Sequence, residues 1–256
     1  MIKNIRVRAQ DRFGGNCIED ALSLTANGPA LLEMDFMLNK RGEFISGHDY
    51  NAYPYVTGGI PNVLDPYRVR NAKGGRPATL ASLLLYLPPE TRLFVDLKDT
   101  HNPGRSVMVM DAVVQNILAA RRVSDVVIMA YIEHVGLFEG ARAADIRCCL
   151  KRGERVSASS APYSEDEALS WVELAHESGA DYICYPSPPA YERFATACQD
   201  AGITLLVPVE IPDFRRRIGA HLKNGTTHFI TPYADDVLED IAAAMNSDAG
   251  KEQQQC

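Results

Sequence analysis

Residues 31–51 read LLEMDFMLNKRGEFISGHDYN, and they concentrate side chains that could do chemistry. Glu33 and Asp35 lie two apart in an apolar run, and a second short run ends at the pair His48-Asp49. Farther along, LFVDLK (93–98) repeats the spacing with Asp96 and Lys98. Residues two apart on a strand point to one face, so each run presents its polar members together, near its C-terminal end. Three carboxylates gathered in one small volume repel unless they are protonated or share a cation. One hard divalent cation, Mg²⁺ or Ca²⁺, suits an all-oxygen ligand set. A histidine beside a phosphate held there could donate a proton to a leaving alkoxide. The plainer alternative pairs each acid with a lysine or arginine and makes His48 a packing residue.

These side chains need a scaffold that brings two strand ends together. Apolar runs of strand length recur at 5–9, 30–36, 93–98, 125–131, 146–150, 181–185, 203–209 and 227–232. Most are continuous rather than alternating, as expected of parallel strands covered on both faces. Helical patterns lie between them at 81–87, 107–122, 164–179, 189–202, 214–225 and 235–246. The clearest, SEDEALSWVELAHESG, opens with Ser164, has Glu167 three residues later, and stops at Gly179. That is a capping box followed by a glycine stop. Eight strands alternating with helices match an α/β fold of the (β/α)₈ TIM-barrel class, whose active sites form at the C-terminal mouth. Glu33, Asp35 and Asp96 are at that end of their strands.

The expected organisation is a single barrel domain over 1–246, with a frayed polar tail at 247–256. Segment 37–77 interrupts the pattern with a hairpin-like stretch and then a Pro/Gly/Tyr-rich stretch. It reads as an insertion after the second strand, over the barrel mouth, where long loops are usually functional. A net charge of −7 argues against a nucleic-acid partner. No apolar run approaches the roughly 18 residues of a membrane span. The six cysteines show no zinc-type spacing, and most sit in apolar segments as small hydrophobes. A cytoplasmic location follows as the expectation. Of the remaining histidines, His101, His134 and His228 have weaker claims to chemistry than His48, while His176 and His221 read as surface positions on helices.

The succession E-x-D, a short hairpin ending in HD, and D-L-K on the next strand resembles the glycerophosphodiester phosphodiesterase family. The matching residues are Glu33, Asp35, His48, Asp49, Asp96 and Lys98. GRPATLASLLLYLP (75–88) is similar to the family's P-T-L helix entry, and GTTHFITPYADDV (225–237) to its closing strand. The resemblance spans about residues 5–237. It implies a distorted TIM barrel that hydrolyses a small-molecule phosphodiester to a phosphomonoester and an alcohol. It further implies one divalent cation on Glu33, Asp35 and Asp96, a phosphate contact from Lys98, and His48 as one of two acid/base histidines.

The family's first strand ends in HRG followed by PEN, whereas this chain has RVRAQDRFGGN and no histidine before His48. Arg8, Gln10 and Asp11 fall in the region of the missing histidine: Arg8 could neutralise a phosphate, and Asp11 could serve as base. Asn16 echoes the asparagine of PEN. ITPY also stands where the family places an aspartate after the threonine. Three readings follow from the match and its departure: a metal-dependent phosphodiesterase, a catalytically impaired metal and organophosphate binder, and a phosphodiester transferase or cyclising enzyme.

Overall fold

Eight of the apolar runs become eight parallel strands. The computed structural model describes residues 6–7, 16–26, 31–39, 42–47, 74–98, 103–131, 136–151, 164–185, 191–208, 221–222, 226, 228–230, 239 and 243. In chain order the strands and helices are β1 (Arg6–Val7), α1 (Ile18–Thr25), β2 (Leu31–Leu38), β3 (Phe44–Ser46), α2 (Leu80–Tyr86), β4 (Arg92–Leu97) and α3 (Pro103–Ala120). There follow β5 (Val126–Ala130), α4 (Glu139–Ala143), β6 (Arg147–Lys151), α5 (Glu165–Ser178), β7 (Tyr182–Cys184), α6 (Tyr191–Asp200), β8 (Thr204–Pro208) and β9 (His228–Ile230). The sheet order is β1-β9-β8-β7-β6-β5-β4-β2-β3, and every ladder is parallel except β2–β3. This is the strand succession of a (β/α)₈ barrel with one antiparallel strand added beside β2. Among the described residues no ladder joins β1 to β2.

Strand parity separates two apolar layers. Leu32, Met34, Val95, Leu97, Ile128, Cys148, Leu150, Ile183, Leu205 and Val207 face outward and pack with the helices as one core. Phe94, Val127, Met129, Cys149, Tyr182, Cys184 and Leu206 form the inner cluster, with Leu31 and Ile230 against it. The Phe94 and Tyr182 rings meet edge to face at 5.4 Å, a favourable quadrupole arrangement. The alternation continues past this layer. Two residues beyond Phe94 is Asp96, beyond Met129 is Tyr131, beyond Cys149 is Lys151, and beyond Leu31 are Glu33 and Asp35. The apolar plug thus forms the floor of a polar mouth.

The helix termini follow local rules. Ser164 accepts from the Glu167 amide at 3.1 Å, and Gly179 closes α5 at φ 68°, a backbone state that glycine adopts without a Cβ clash. Thr79 caps α2 by accepting from the Ser82 amide at 3.1 Å. At the other end of α2, Arg122 donates to the carbonyls of Leu84, Leu87 and Pro88 at 2.9, 3.0 and 3.1 Å. Those carbonyls have no partner inside the helix, so one guanidinium ties α2 to the end of α3.

Several sequence expectations need correction. β2 continues to Leu38, two residues into segment 37–77, and its hairpin partner β3 pairs Leu38 with Phe44. Helices α1 and α4 were not among the expected elements. His221 is not a surface residue: it is 3% exposed, with its ring 6.1 Å from that of Phe229. His176 is exposed, as expected. Cys17, Cys148, Cys149, Cys184 and Cys198 are buried free thiols, and burial pushes those of Cys17 and Cys198 up to about 12. The expected helices over 214–225 and 235–246 and the tail 247–256 fall wholly or largely outside the described residues.

Candidate active site

β2 and β4 lie side by side in register, with Asp35 opposite Asp96 and Glu33 opposite Phe94. This register sets Asp35 and Asp96 at one level, with Glu33 one inward-facing position below them, in the first half of β2 rather than at its C-terminal end. Glu33, Asp35 and Asp96 are 7%, 3% and 0% exposed, and one ligand oxygen from each lies within 4.8 Å of the others. The chain therefore buries three carboxylates in a volume suited to a single ion.

Two lysines offset part of that charge. Lys98 Nζ is 2.7 Å from Asp35 Oδ1 and 2.8 Å from Asp96 Oδ2. Lys151, from the end of β6, places its Nζ 2.5 Å from the same Asp96 oxygen. It also lies over the Tyr131 ring, 4.8 Å from the centroid, a cation–π contact that fixes the ammonium laterally. Burial alone would raise the Asp96 carboxyl, but Lys151 and then Lys98 outweigh it and hold the group well below the usual carboxylate range. Burial would likewise lower both lysines, yet Asp96 raises each of them above its ordinary value, with Asp35 adding to Lys98. Asp96, Lys98 and Lys151 are thus ionised at neutral pH. By formal charge, three carboxylates against two ammonium groups leave one negative charge.

Pairing with lysine accounts for part of the acidic cluster, as the plainer alternative held, but not for all of it. Asp96 Oδ1 is buried and accepts no hydrogen bond among the described residues. An orphaned carboxylate oxygen is costly in a protein interior, and hard oxygen donors of this kind fit a divalent cation. Glu33, Asp35 and Asp96 are the residues that could hold one.

Asn16 fixes the orientation of Asp35. Its Nδ2 donates to Asp35 Oδ2 at 2.6 Å, its Oδ1 accepts from the Asp35 amide at 2.7 Å, and its carbonyl accepts from Ser46 Oγ at 2.6 Å. This clasp requires φ 51° at Asn16, a left-handed backbone that asparagine tolerates better than most residues. Replacing Asn16 with alanine removes both side-chain bonds and strains the backbone. The expected cost is about 3 kcal/mol, with Asn16→Gly about 1 kcal/mol less disruptive because glycine accepts the conformation. Urea denaturation of the two variants checks that order.

Of the six residues expected to form the site, the structure brings together Glu33, Asp35, Asp96 and Lys98. His48 and Arg8 lie outside the described residues, as do Gln10 and Asp11. Gly47, which precedes His48 in the chain, donates its amide to the Asp35 carbonyl at 2.9 Å. Lys151 and Tyr131 were missed by the sequence reading. Their signal was parity: each lies two residues beyond an inward-facing apolar position at the C-terminal end of its strand. His228 lines a narrow void in the barrel with Glu33, Phe94 and Leu206, and its ring is 5.9 Å from that of Tyr182.

Neither a protein-family model nor a curated protein sequence matches the chain. Solved structures do. A glycerophosphodiester phosphodiesterase from Parabacteroides distasonis superposes with a TM-score of 0.70 at 15% identity, over 94% of this chain and 98% of that one. A phosphodiesterase from Oleispira antarctica, solved with its product sn-glycerol-3-phosphate, gives 0.67 at 13% identity, over 93% and 97%. One from Agrobacterium tumefaciens gives 0.60 at 15% identity, over 89% and 95%. Such low identity speaks to architecture, and the near-complete coverage of both chains speaks to all of it. This chain has the (β/α)₈ barrel fold of the glycerophosphodiester phosphodiesterases.

Proposed function

We propose that the protein is a metal-dependent phosphodiesterase that cleaves a small-molecule, glycerophosphodiester-like substrate to a phosphomonoester and an alcohol. The observation that carries this reading is the buried carboxylate trio at the barrel mouth, with an ammonium group beside it and an orphaned oxygen on Asp96. The product bound to the Oleispira antarctica neighbour supports the substrate class.

In this reading Glu33, Asp35 and Asp96 hold one divalent cation, Mg²⁺ or Ca²⁺, which when bound supplies Lewis-acid stabilisation of a phosphoryl oxygen. Asn16 keeps Asp35 oriented for that task. Lys98 contacts the phosphate, and Arg8 on the strand-one side adds a second neutralising charge. Water attacks phosphorus, the P–O bond to the alcohol breaks, and His48 gives its proton to the leaving oxygen. Asp11 is the candidate to take the proton from water where the family has its first histidine. The 37–77 insertion over the mouth selects the alcohol portion of the substrate.

Alcohol release from a panel of phosphodiesters in the presence of Mg²⁺ or Ca²⁺, abolished by chelator, is the expected result. No release from any member contradicts the reading. The absent HRG histidine favours one rival, a metal and organophosphate binder without turnover. Thermal stabilisation by a phosphodiester with no product formed would support that rival. A transferase or cyclising enzyme would share the same first step and differ in product, a cyclic or transferred phosphate instead of a free phosphomonoester.

A further inference from the structure

Lys151 has no counterpart among the residues singled out by the sequence, yet it is built into the site. It shares Asp96 Oδ2 with Lys98, lies over Tyr131, and keeps 14% of its side chain exposed at the mouth. By formal charge, the described carboxylates and lysines of the site sum to one negative charge. A bound divalent cation turns that into one positive charge, whereas without Lys151 the loaded site would be neutral.

We propose that Lys151 is a substrate-selecting residue: a second phosphate-directed ammonium that makes the cation-loaded mouth complementary to an anionic phosphodiester. This rests on the phosphodiesterase reading above. The same ammonium competes with the cation for Asp96, since two positive charges a few ångströms apart repel strongly at a buried site. Lys151 therefore weakens cation binding and strengthens anion binding. A residue that merely held Asp96 in position would strengthen both.

The opposite signs make the test decisive. Calorimetry would titrate Mg²⁺ or Ca²⁺ into the wild type, Lys151→Met, Lys151→Gln and Lys151→Arg, and then inorganic phosphate into each cation-loaded protein. Both neutral variants are expected to bind the cation at least roughly 10-fold more tightly and phosphate at least roughly 10-fold more weakly, the lower end of the effect of one unit charge at this range. Lys151→Arg, which keeps the charge, should restore phosphate binding. Weaker cation binding in the neutral variants, or no change in either titration, would overturn the proposal while leaving the phosphodiesterase reading intact. Failure of the wild type itself to bind either cation would instead remove the reading on which the proposal rests.

Discussion

Asp96→Asn is expected to abolish cation binding and to lower phosphodiester turnover by at least about 10³-fold, the scale of losing several kcal/mol of Lewis-acid stabilisation. The size follows from where Asp96 sits. It is fully buried, its Oδ1 accepts no hydrogen bond among the described residues, and its Oδ2 anchors two lysines. The amide is nearly isosteric but carries no charge. Lys98 would keep Asp35, while Lys151 would lose its carboxylate partner. Breaking a buried ion pair from one side typically costs a few kcal/mol, because the remaining charge is left uncompensated. We therefore expect about 3 kcal/mol of destabilisation as well. Denaturation curves and calorimetry on one preparation separate the two effects. A variant that folds, binds cation and turns over normally would remove Asp96 from the site.

The second large effect belongs to His48. His48→Ala is expected to lower turnover roughly 10²–10⁴-fold on substrates with an alkoxide leaving group. An alkoxide needs a proton as the P–O bond breaks, and the imidazole is assigned to provide it. A p-nitrophenyl phosphodiester leaves as a stabilised phenolate and has little need of that proton. The loss on such a substrate should shrink to roughly 10-fold or less. Cation affinity should be unchanged, because the carboxylates are untouched. Equal losses on both substrates would show that His48 positions the phosphate rather than protonating the leaving group.

The sequence made the barrel legible because its main signals are local. Each parallel strand needs only a continuous apolar run, and all eight runs carry a described strand. The residues missed were those whose signals are short or displaced. Helix α1 has only eight residues, and its cap is Cys17, whose sulfur accepts from the Asp20 amide at 3.4 Å. Cysteine is not among the side chains that usually mark a helix start. Helix α4 has five residues with Gly140 among them, too few for a hydrophobic period to emerge. His221 reads as a surface position on a helix, but tertiary packing against Phe229, which the local sequence does not reveal, decides its environment.

The candidate site was partly legible for the same reason. Period-two spacing alone put Glu33 with Asp35 and Asp96 with Lys98 on common faces, and the parallel register then joined the two strands. Lys151 was lost by one residue, because the apolar run IRCCL ends at Leu150 while β6 ends at Lys151. A strand boundary drawn where hydrophobicity stops discards the polar terminal residue, and in a barrel those residues line the mouth. Asn16 could be matched to a family motif, but its clasp on Asp35 spans 19 positions and depends on an unusual backbone angle. Local periodicity contains no trace of such a contact.

In the proposed reading the buried carboxylate trio holds a cation that serves phosphodiester cleavage. Calorimetric titration of Mg²⁺ and Ca²⁺ into the wild type and Glu33→Ala, with phosphodiester turnover measured on both, tests it most directly. Stoichiometric binding and turnover in the wild type, both lost in Glu33→Ala, are the predicted results. Absence of cation binding in the wild type would contradict that reading and leave Asp35 and Asp96 as no more than ion-pair partners of Lys98 and Lys151.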